Sequence, residues 1–366
     1  MSQKQTINIG IIGTGFARST QIPGFRGCEG ARVAAIASGR RENAESVARE
    51  FGIEFATDDW REVVGRADVD LISIVTPPDT HREMTLAALD AGKAVLCEKP
   101  TAMDAREAEE MMRRADESGA LALIDHELRF LPARRLMRGM IHAGEIGSIQ
   151  HVKYFFRAES RANPQRPWNW WSDASRGGGV LGAIGSHVAD SLRWLLSTEI
   201  SHVTAQLATH IKERAEEGTG RVRPVSSDDE ANLLLKFRDG AFTKGATATV
   251  SMSVVEQGRP LHYIEVFGSE GALAIDGSRI LRARTGEGDW SEVAAPGGEL
   301  AAGMHDNEWS RGFTLFAREI VAALREGRSS VDEASTFEDG YRNQLVLDAA
   351  RRSNDSGSAV EIRALD

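Results

Sequence analysis

Apolar residues follow two rhythms along this chain. Through the first third, short unbroken runs at Ile7–Ile12, Arg32–Ala37, Leu71–Val75, Ala94–Cys97 and Leu121–Ile124 alternate with stretches of helical spacing. Aliphatic runs bounded by Gly or Pro predict strands buried on both faces. Asn43–Phe51 sets Ala44, Val47, Ala48 and Phe51 on one side, with Gly52 as the stop. Thr80–Ala91 is a helix closed by Gly92, and Asp104 caps another that runs to Ser118 before Gly119. Strands alternating with helices at this spacing predict an α/β doubly wound parallel sheet over residues 1–127.

The rhythm then changes. Pro132–His142 and Gly182–Leu196 read as helices, the latter with Leu192, Leu195 and Leu196 on its apolar side. Ile149–Phe156, His202–Ile211, Glu230–Phe237, Phe242–Ser253 and His262–Phe267 read as strands. Turn signals at Asp239-Gly240 and Gly268–Gly271 suit antiparallel pairing. Glu213–Ser227 is charged and reads as an exposed loop. Gly286–Gly303 is loop apart from a short strand near Trp290–Val293. Asn307–Leu324 carries a core stripe of Trp309, Phe313, Phe316, Ile320 and Leu324. Residues 128–366 are therefore expected to form an α+β domain.

Composition adds exclusions. The 366 residues suffice for about two domains. A net charge of -10 argues against a nucleic-acid footprint and against an anionic membrane surface. No apolar run approaches the ~20 residues a membrane helix needs. Met1–Thr6 is polar and shows no signal peptide. Cys28 and Cys97 have neither disulfide-framework nor metal-ligand spacing, so no metal site is expected and both read as reduced thiols of a cytoplasmic protein.

The candidate chemistry lies where the predicted strands end. Gly13-Thr14-Gly15-Phe16-Ala17 fits the first two glycines of a dinucleotide fingerprint; Arg18 stands where the third small residue belongs, with Ala17 one place early. Pro23 makes the following helix short or bent. After Ala37, Ser38-Gly39-Arg40-Arg41 replaces the acidic residue that holds the ribose of NAD. A hydroxyl and two guanidinium groups suit a 2′-phosphate, which favours NADP over NAD. Thr76-Pro77-Pro78-Asp79-Thr80-His81 forms a rigid turn beside the cofactor, and Cys97-Glu98-Lys99-Pro100 sets a lysine at the carboxyl edge of a buried strand. In the second part, Trp168, Trp170 and Trp171 either wall a carbohydrate site or plug the domain. His187 and Asp190 share a helix face.

These residues resemble the glucose–fructose oxidoreductase, inositol dehydrogenase and rhizopine-catabolism group, Gfo/Idh/MocA. The resemblance is carried by Gly13–Phe16, Thr76–His81, Leu96–Pro100, Gly177-Gly178-Gly179-Val180-Leu181 running on to His187–Asp190, and Phe337–Ala349. It implies a Rossmann domain followed by a substrate domain with a large, open, mostly antiparallel sheet. It also implies NAD or NADP, a sugar-like, cyclitol-like or keto-sugar substrate, and a homodimer or homotetramer assembled through the sheet. Lys99 and His187 are then the catalytic pair, with Glu98 orienting Lys99 or the cofactor. Inositol-dehydrogenase-like members carry an Asp four residues before the histidine; here that position is Ala183, and Asp190, Asp173 or His126 is expected to substitute. Arg157 completes the expected substrate contacts. The alternatives are an NAD-dependent glycosidase and a non-catalytic nucleotide sensor.

Overall fold

The computed structural model describes residues 6–286 and 288–364. The polar N-terminal start, apart from Thr6, and Glu287 of the 286–303 loop lie outside the described residues. The chain forms two compact units: 1–131 with 298–341, and 132–297 with 342–366. The expected break at 127/128 falls at 131/132, and residues 298–341, read as part of the second domain, return to the first unit. The reason is apolar. Phe313 of helix Glu308–Glu326 meets Phe25 edge-on at 5.3 Å between ring centres, and Phe316 stacks on Phe130 at 4.3 Å. Asn307 caps that helix by accepting from the Ser310 N–H at 2.8 Å.

The first unit is built on six parallel strands: β1 (Ile7–Ile12), β2 (Ala31–Ala37), β3 (Phe55–Thr57), β4 (Leu71–Ile74), β5 (Ala94–Cys97) and β6 (Ala122–Ile124). Their order, β3-β2-β1-β4-β5-β6, is that of a doubly wound dinucleotide-binding sheet. β3 is an addition to the sequence reading; three residues at a sheet edge give too little periodicity to register. Asp104 accepts from the N–H groups of Arg106 and Glu107, and Gly119 ends helix Ala105–Ser118 at φ 64°, as its sequence position implies.

The second unit contains β7 (Ile149–Arg157), β8 (Ile200–Ala208), a ribbon of β9 (Glu213–Ala215) and β10 (Val222–Pro224), then β11 (Glu230–Phe237), β12 (Thr243–Ser253), β13 (Leu261–Gly268), β14 (Gly271–Asp276), β15 (Arg279–Arg284), β16 (Ser291–Val293) and β17 (Val360–Glu361). Nine of these form one sheet, β16-β15-β14-β13-β7-β12-β11-β8-β17, antiparallel except for the parallel pair β7/β12. Alternation sets its buried face: Ala231, Leu233, Leu235 and Phe237 of β11 point inward, while Leu234 is 59% exposed on the opposite face. The β9–β10 ribbon corrects the exposed-loop reading of 213–227. Arg214 within it is 3% exposed, donating to the carbonyls of Arg161, Asn163 and Arg166 at 2.6–3.3 Å. Three carbonyls satisfy a guanidinium that the charge pattern assigns to solvent.

Candidate active site

In the first unit the register lines up Thr57, Ala37, Ile12, Ile74, Cys97 and Ile124 across the carboxyl edge of the sheet. Each expected cofactor segment begins within two residues of that row. Gly13, Ser38, Thr76, Glu98-Lys99 and His126 therefore share one edge, with the strand order reversing between β1 and β4. That crevice is where open α/β sheets bind ligands.

The glycine turn is shaped for close approach. Gly13 has φ +111°, and a Cβ there would lie 2.2 Å from the Val75 carbonyl oxygen, whereas a Cβ on Gly15 would meet open space. Thr14 separates the two, and Phe16 is 36% exposed. Ala17 is fully buried and fills the role of the third small residue, while Arg18 turns outward to Glu50 at 2.7 Å. Ala17–Gln21 winds as a π-turn before the short helix Ile22–Arg26, which has Pro23 in its first turn. These residues fit a pyrophosphate cradle.

At the end of β2, the Ser38 N–H bonds to the Thr57 carbonyl at 3.1 Å. Gly39, Arg40 and Arg41 are exposed. Arg41 is engaged by Glu45 at 3.1 Å and Asp58 at 3.2 Å; Arg40 precedes helix Arg41–Phe51 and makes no ion pair among the described residues.

Two turns frame Lys99. Thr76 and Pro77 are half-buried and Pro78 buried; Thr80 Oγ1 donates to the Pro77 carbonyl at 2.8 Å. The Lys99–Pro100 peptide bond is cis. His81 lies between the turns, fully buried, with Nδ1 3.0 Å from the Pro100 carbonyl and Nε2 2.9 Å from that of Thr76. Burial lowers its pKa, and the two carbonyls push the other way.

Behind Lys99 lies a buried acidic group that the sequence did not reveal. Gln21 Nε2 donates to Glu98 Oε1 at 3.0 Å and to Asp125 Oδ2 at 2.8 Å, and Ser73 Oγ donates to Gln21 Oε1. Glu98, Asp125 and Glu127 are 8%, 0% and 1% exposed. Burial pushes all three carboxyls up; mutual repulsion adds to this for Asp125 and Glu127, while the Lys99 ammonium pulls Glu98 and Glu127 down. Buried His126 sits between Asp125 and Glu127.

In the second unit, His187 lies in the first turn of helix Ser186–Leu196, every residue of which is buried. Gly177–Gly179 leads into it through a π-turn at Leu181–Gly185. Asp228, also missed by the sequence reading, anchors that entry: its Oδ2 accepts from the Leu181 N–H at 2.6 Å and its carbonyl from the Val180 N–H at 3.0 Å. A Cβ on Gly179 would lie 2.4 Å from Asp228 Oδ1, which explains that glycine.

Two of the three expected substitutes for a carboxylate at Ala183, Asp190 and Asp173, are engaged locally. Asp190 accepts from Asn343 Nδ2 at 3.2 Å, and Asn343 in turn accepts from Arg193 at 2.9 Å. Asp173 caps its own turn through the Ser175 N–H at 3.0 Å. Arg157 lies at the end of β7, 3.4 Å from Glu256. Guanidinium groups cover two of the three tryptophans: Arg223 over Trp168 at 3.5 Å and Arg161 over Trp171 at 4.1 Å. Trp170 is half-buried, 6.4 Å from Trp171 between ring centres. Among the described residues, no His, Cys, Asp and Glu group has metal-holding geometry, and no helix is long and apolar enough to cross a membrane.

The fold and this strand edge define an oxidoreductase with an NAD-binding Rossmann fold. Residues 7–126 match the family model described as "Oxidoreductase family, NAD-binding Rossmann fold", and residues 135–274 match "GFO/IDH/MocA C-terminal domain". The chain belongs to the Gfo/Idh/MocA family. A levoglucosan dehydrogenase of Pseudarthrobacter phenanthrenivorans is 30% identical, with 98% of each chain covered. Inositol 2-dehydrogenase of Rhizobium meliloti is 27% identical, covering 95% of this chain and 97% of its own. The solved complex of levoglucosan dehydrogenase with NADH and levoglucosan has a TM-score of 0.87 at 28% identity, covering 99% of this chain and all of that one.

Proposed function

We propose that the protein transfers a hydride between a nicotinamide cofactor and a secondary alcohol or ketone of a sugar, cyclitol or related polyol. The observation that carries this reading is Lys99 on a turn at the carboxyl end of β5, braced by His81 on one side and backed by buried carboxyls. Sugar and inositol dehydrogenases among the full-length relatives support the substrate class.

Gly13, Thr14, Gly15, Phe16 and Ala17 would hold the pyrophosphate, and the turns at Thr76–Pro78 and Glu98–Pro100 would flank the nicotinamide. Bound nicotinamide supplies the hydride acceptor or donor. Lys99 hydrogen-bonds the reacting oxygen and stabilises its developing negative charge. His187 takes the hydroxyl proton in oxidation and returns it in reduction. Ser38, Gly39 and Arg40 favour NADP, with Arg40 the guanidinium available for the 2′-phosphate. A homodimer or homotetramer forms through the sheet face that exposes Leu234. The test is turnover of a polyol and keto-sugar panel with NAD(H) and NADP(H).

A further inference from the structure

The loop from Arg161 to Gly179 carries Arg161, Arg166 and Arg176 against one acid, Asp173, which caps its own turn. The Arg161 guanidinium lies over Trp171, 4.1 Å from the ring centre, and Arg161 is half-buried. No carboxylate faces it among the described residues; the charges that act on it are Arg166 and Arg214. Burial, and after it these two like charges, push its pKa down to about 9. Arg214 is engaged by three carbonyls and has Asp229 acting on it, so it adds positive charge beside Arg161 while its own donors are taken. Arg166 is exposed and donates to the Ser160 carbonyl at 3.0 Å. By contrast, the neighbouring stack of Arg223 on Trp168 has its acid in place, Glu216 at 3.0 Å.

This uncompensated guanidinium is tied to the helix that carries His187. The Trp171 carbonyl accepts from Ser227 Oγ at 2.7 Å and closes on Gly178, where a Cβ would lie 2.4 Å from it. Two residues after Gly178, the Val180 N–H donates to the Asp228 carbonyl at 3.0 Å. A guanidinium pre-oriented on an indole face presents its fork edge to planar oxyanions.

We propose that Arg161, held on Trp171, is the recognition point for an oxyanion substituent on the substrate, so that the substrate class is a carboxylate- or phosphate-bearing sugar or polyol rather than a neutral one. This rests on the dehydrogenase reading above, and it adds a specificity residue to it.

The experiment is isothermal titration of the full chain, with NADH and separately NADPH present so that no alcohol is oxidised. The probes are glucose, gluconate, glucuronate and glucose 6-phosphate, each against wild type, Arg161→Gln and Arg161→Lys. At least one acidic probe should bind about tenfold more tightly than glucose to wild type, and Arg161→Gln should remove that margin, as loss of one charge-assisted contact does. Arg161→Lys should restore part of it, and nucleotide affinity should stay unchanged in both variants, which shows that they fold. Tighter binding of gluconate and glucuronate identifies a carboxylate; tighter binding of glucose 6-phosphate alone identifies a phosphate. Equal affinity for glucose and every acidic probe, no sugar binding, or a margin that survives in Arg161→Gln overturns the proposal. Turnover of neutral polyols with no acidic preference leaves the dehydrogenase reading standing while this proposal fails.

Discussion

His81 Nδ1 stands 3.0 Å from the carbonyl oxygen of Pro100, and the opposite ring nitrogen reaches Thr76, so one buried imidazole joins the turns after β4 and β5. Lys99 precedes Pro100 and inherits that support. Replacing His81 by Ala removes the one N–H that a neutral imidazole donates to these carbonyls and opens a cavity. His81→Ala should lose about 2–4 kcal/mol in urea unfolding. Its kcat should fall more than the stability loss at assay temperature accounts for, because the turn bearing Lys99 loosens. A variant as stable as wild type would show that the two contacts are incidental.

Stability should depend on pH through Glu98, Asp125 and Glu127. All three have raised folded-state pKa values, so each takes up a proton on folding. Their contribution to stability is then present at low pH and is lost as pH rises from the ordinary carboxylate range through the raised folded value. Asp125→Asn removes one such proton. It should be more stable than wild type at pH 8, with the gap narrowing by up to about 1.4 kcal/mol per pH unit toward pH 4. Urea midpoints at pH 5, 6.5 and 8 check this; a gap that widens on acidification has the wrong sign.

Cofactor choice should reside in Arg40 more than in Arg41. Arg41 is held by Glu45 and Asp58, whereas Arg40 is exposed and makes no ion pair among the described residues. Arg40→Ala should cut kcat/KM for NADPH about tenfold and leave NADH nearly unchanged. Arg41→Ala should do less. A wild-type preference for NADH would remove the 2′-phosphate role from Ser38, Gly39 and Arg40.

Gly179 and Asp228 fix the entry to the His187 helix. At φ +115° and 2.4 Å from Asp228 Oδ1, a side chain at 179 is both strained and blocked. Gly179→Ala should cost about 1–3 kcal/mol and lower kcat. Asp228→Ala should lower kcat with smaller effects on nucleotide affinity, since the nucleotide cradle lies in the other unit. Thermal melts and nucleotide titrations on both variants separate the two effects.

The strand–helix alternation was legible because each period is local, as were the caps at Asp104 and Gly119. The residues at strand ends were legible for the same reason: a buried run ends where its polar residues begin. The acidic group was not. Gln21 and Asp125 are 104 residues apart, and no local pattern tells a buried carboxyl from a solvated one. Arg214 shows the same limit, since its burial depends on three carbonyls of the 161–166 segment. The tryptophans were visible as a cluster, but the arginines stacked on two of them come from the loop start and from the ribbon. The return of helix Glu308–Glu326 to the first unit likewise depends on Phe25 and Phe130, far away in sequence.

The central claim is that Lys99 stabilises the reacting oxygen during nicotinamide-dependent oxidation or reduction of a sugar or polyol. It is tested most directly by initial rates of wild type and Lys99→Met on a polyol and keto-sugar panel, with NAD(H) and NADP(H), beside nucleotide affinities for both proteins. The expected result is nucleotide-dependent turnover of at least one panel member by wild type, none detectable in Lys99→Met, and nucleotide dissociation constants within about threefold of each other. Full activity in Lys99→Met, or nucleotide binding by wild type with no turnover of any panel member, would contradict it.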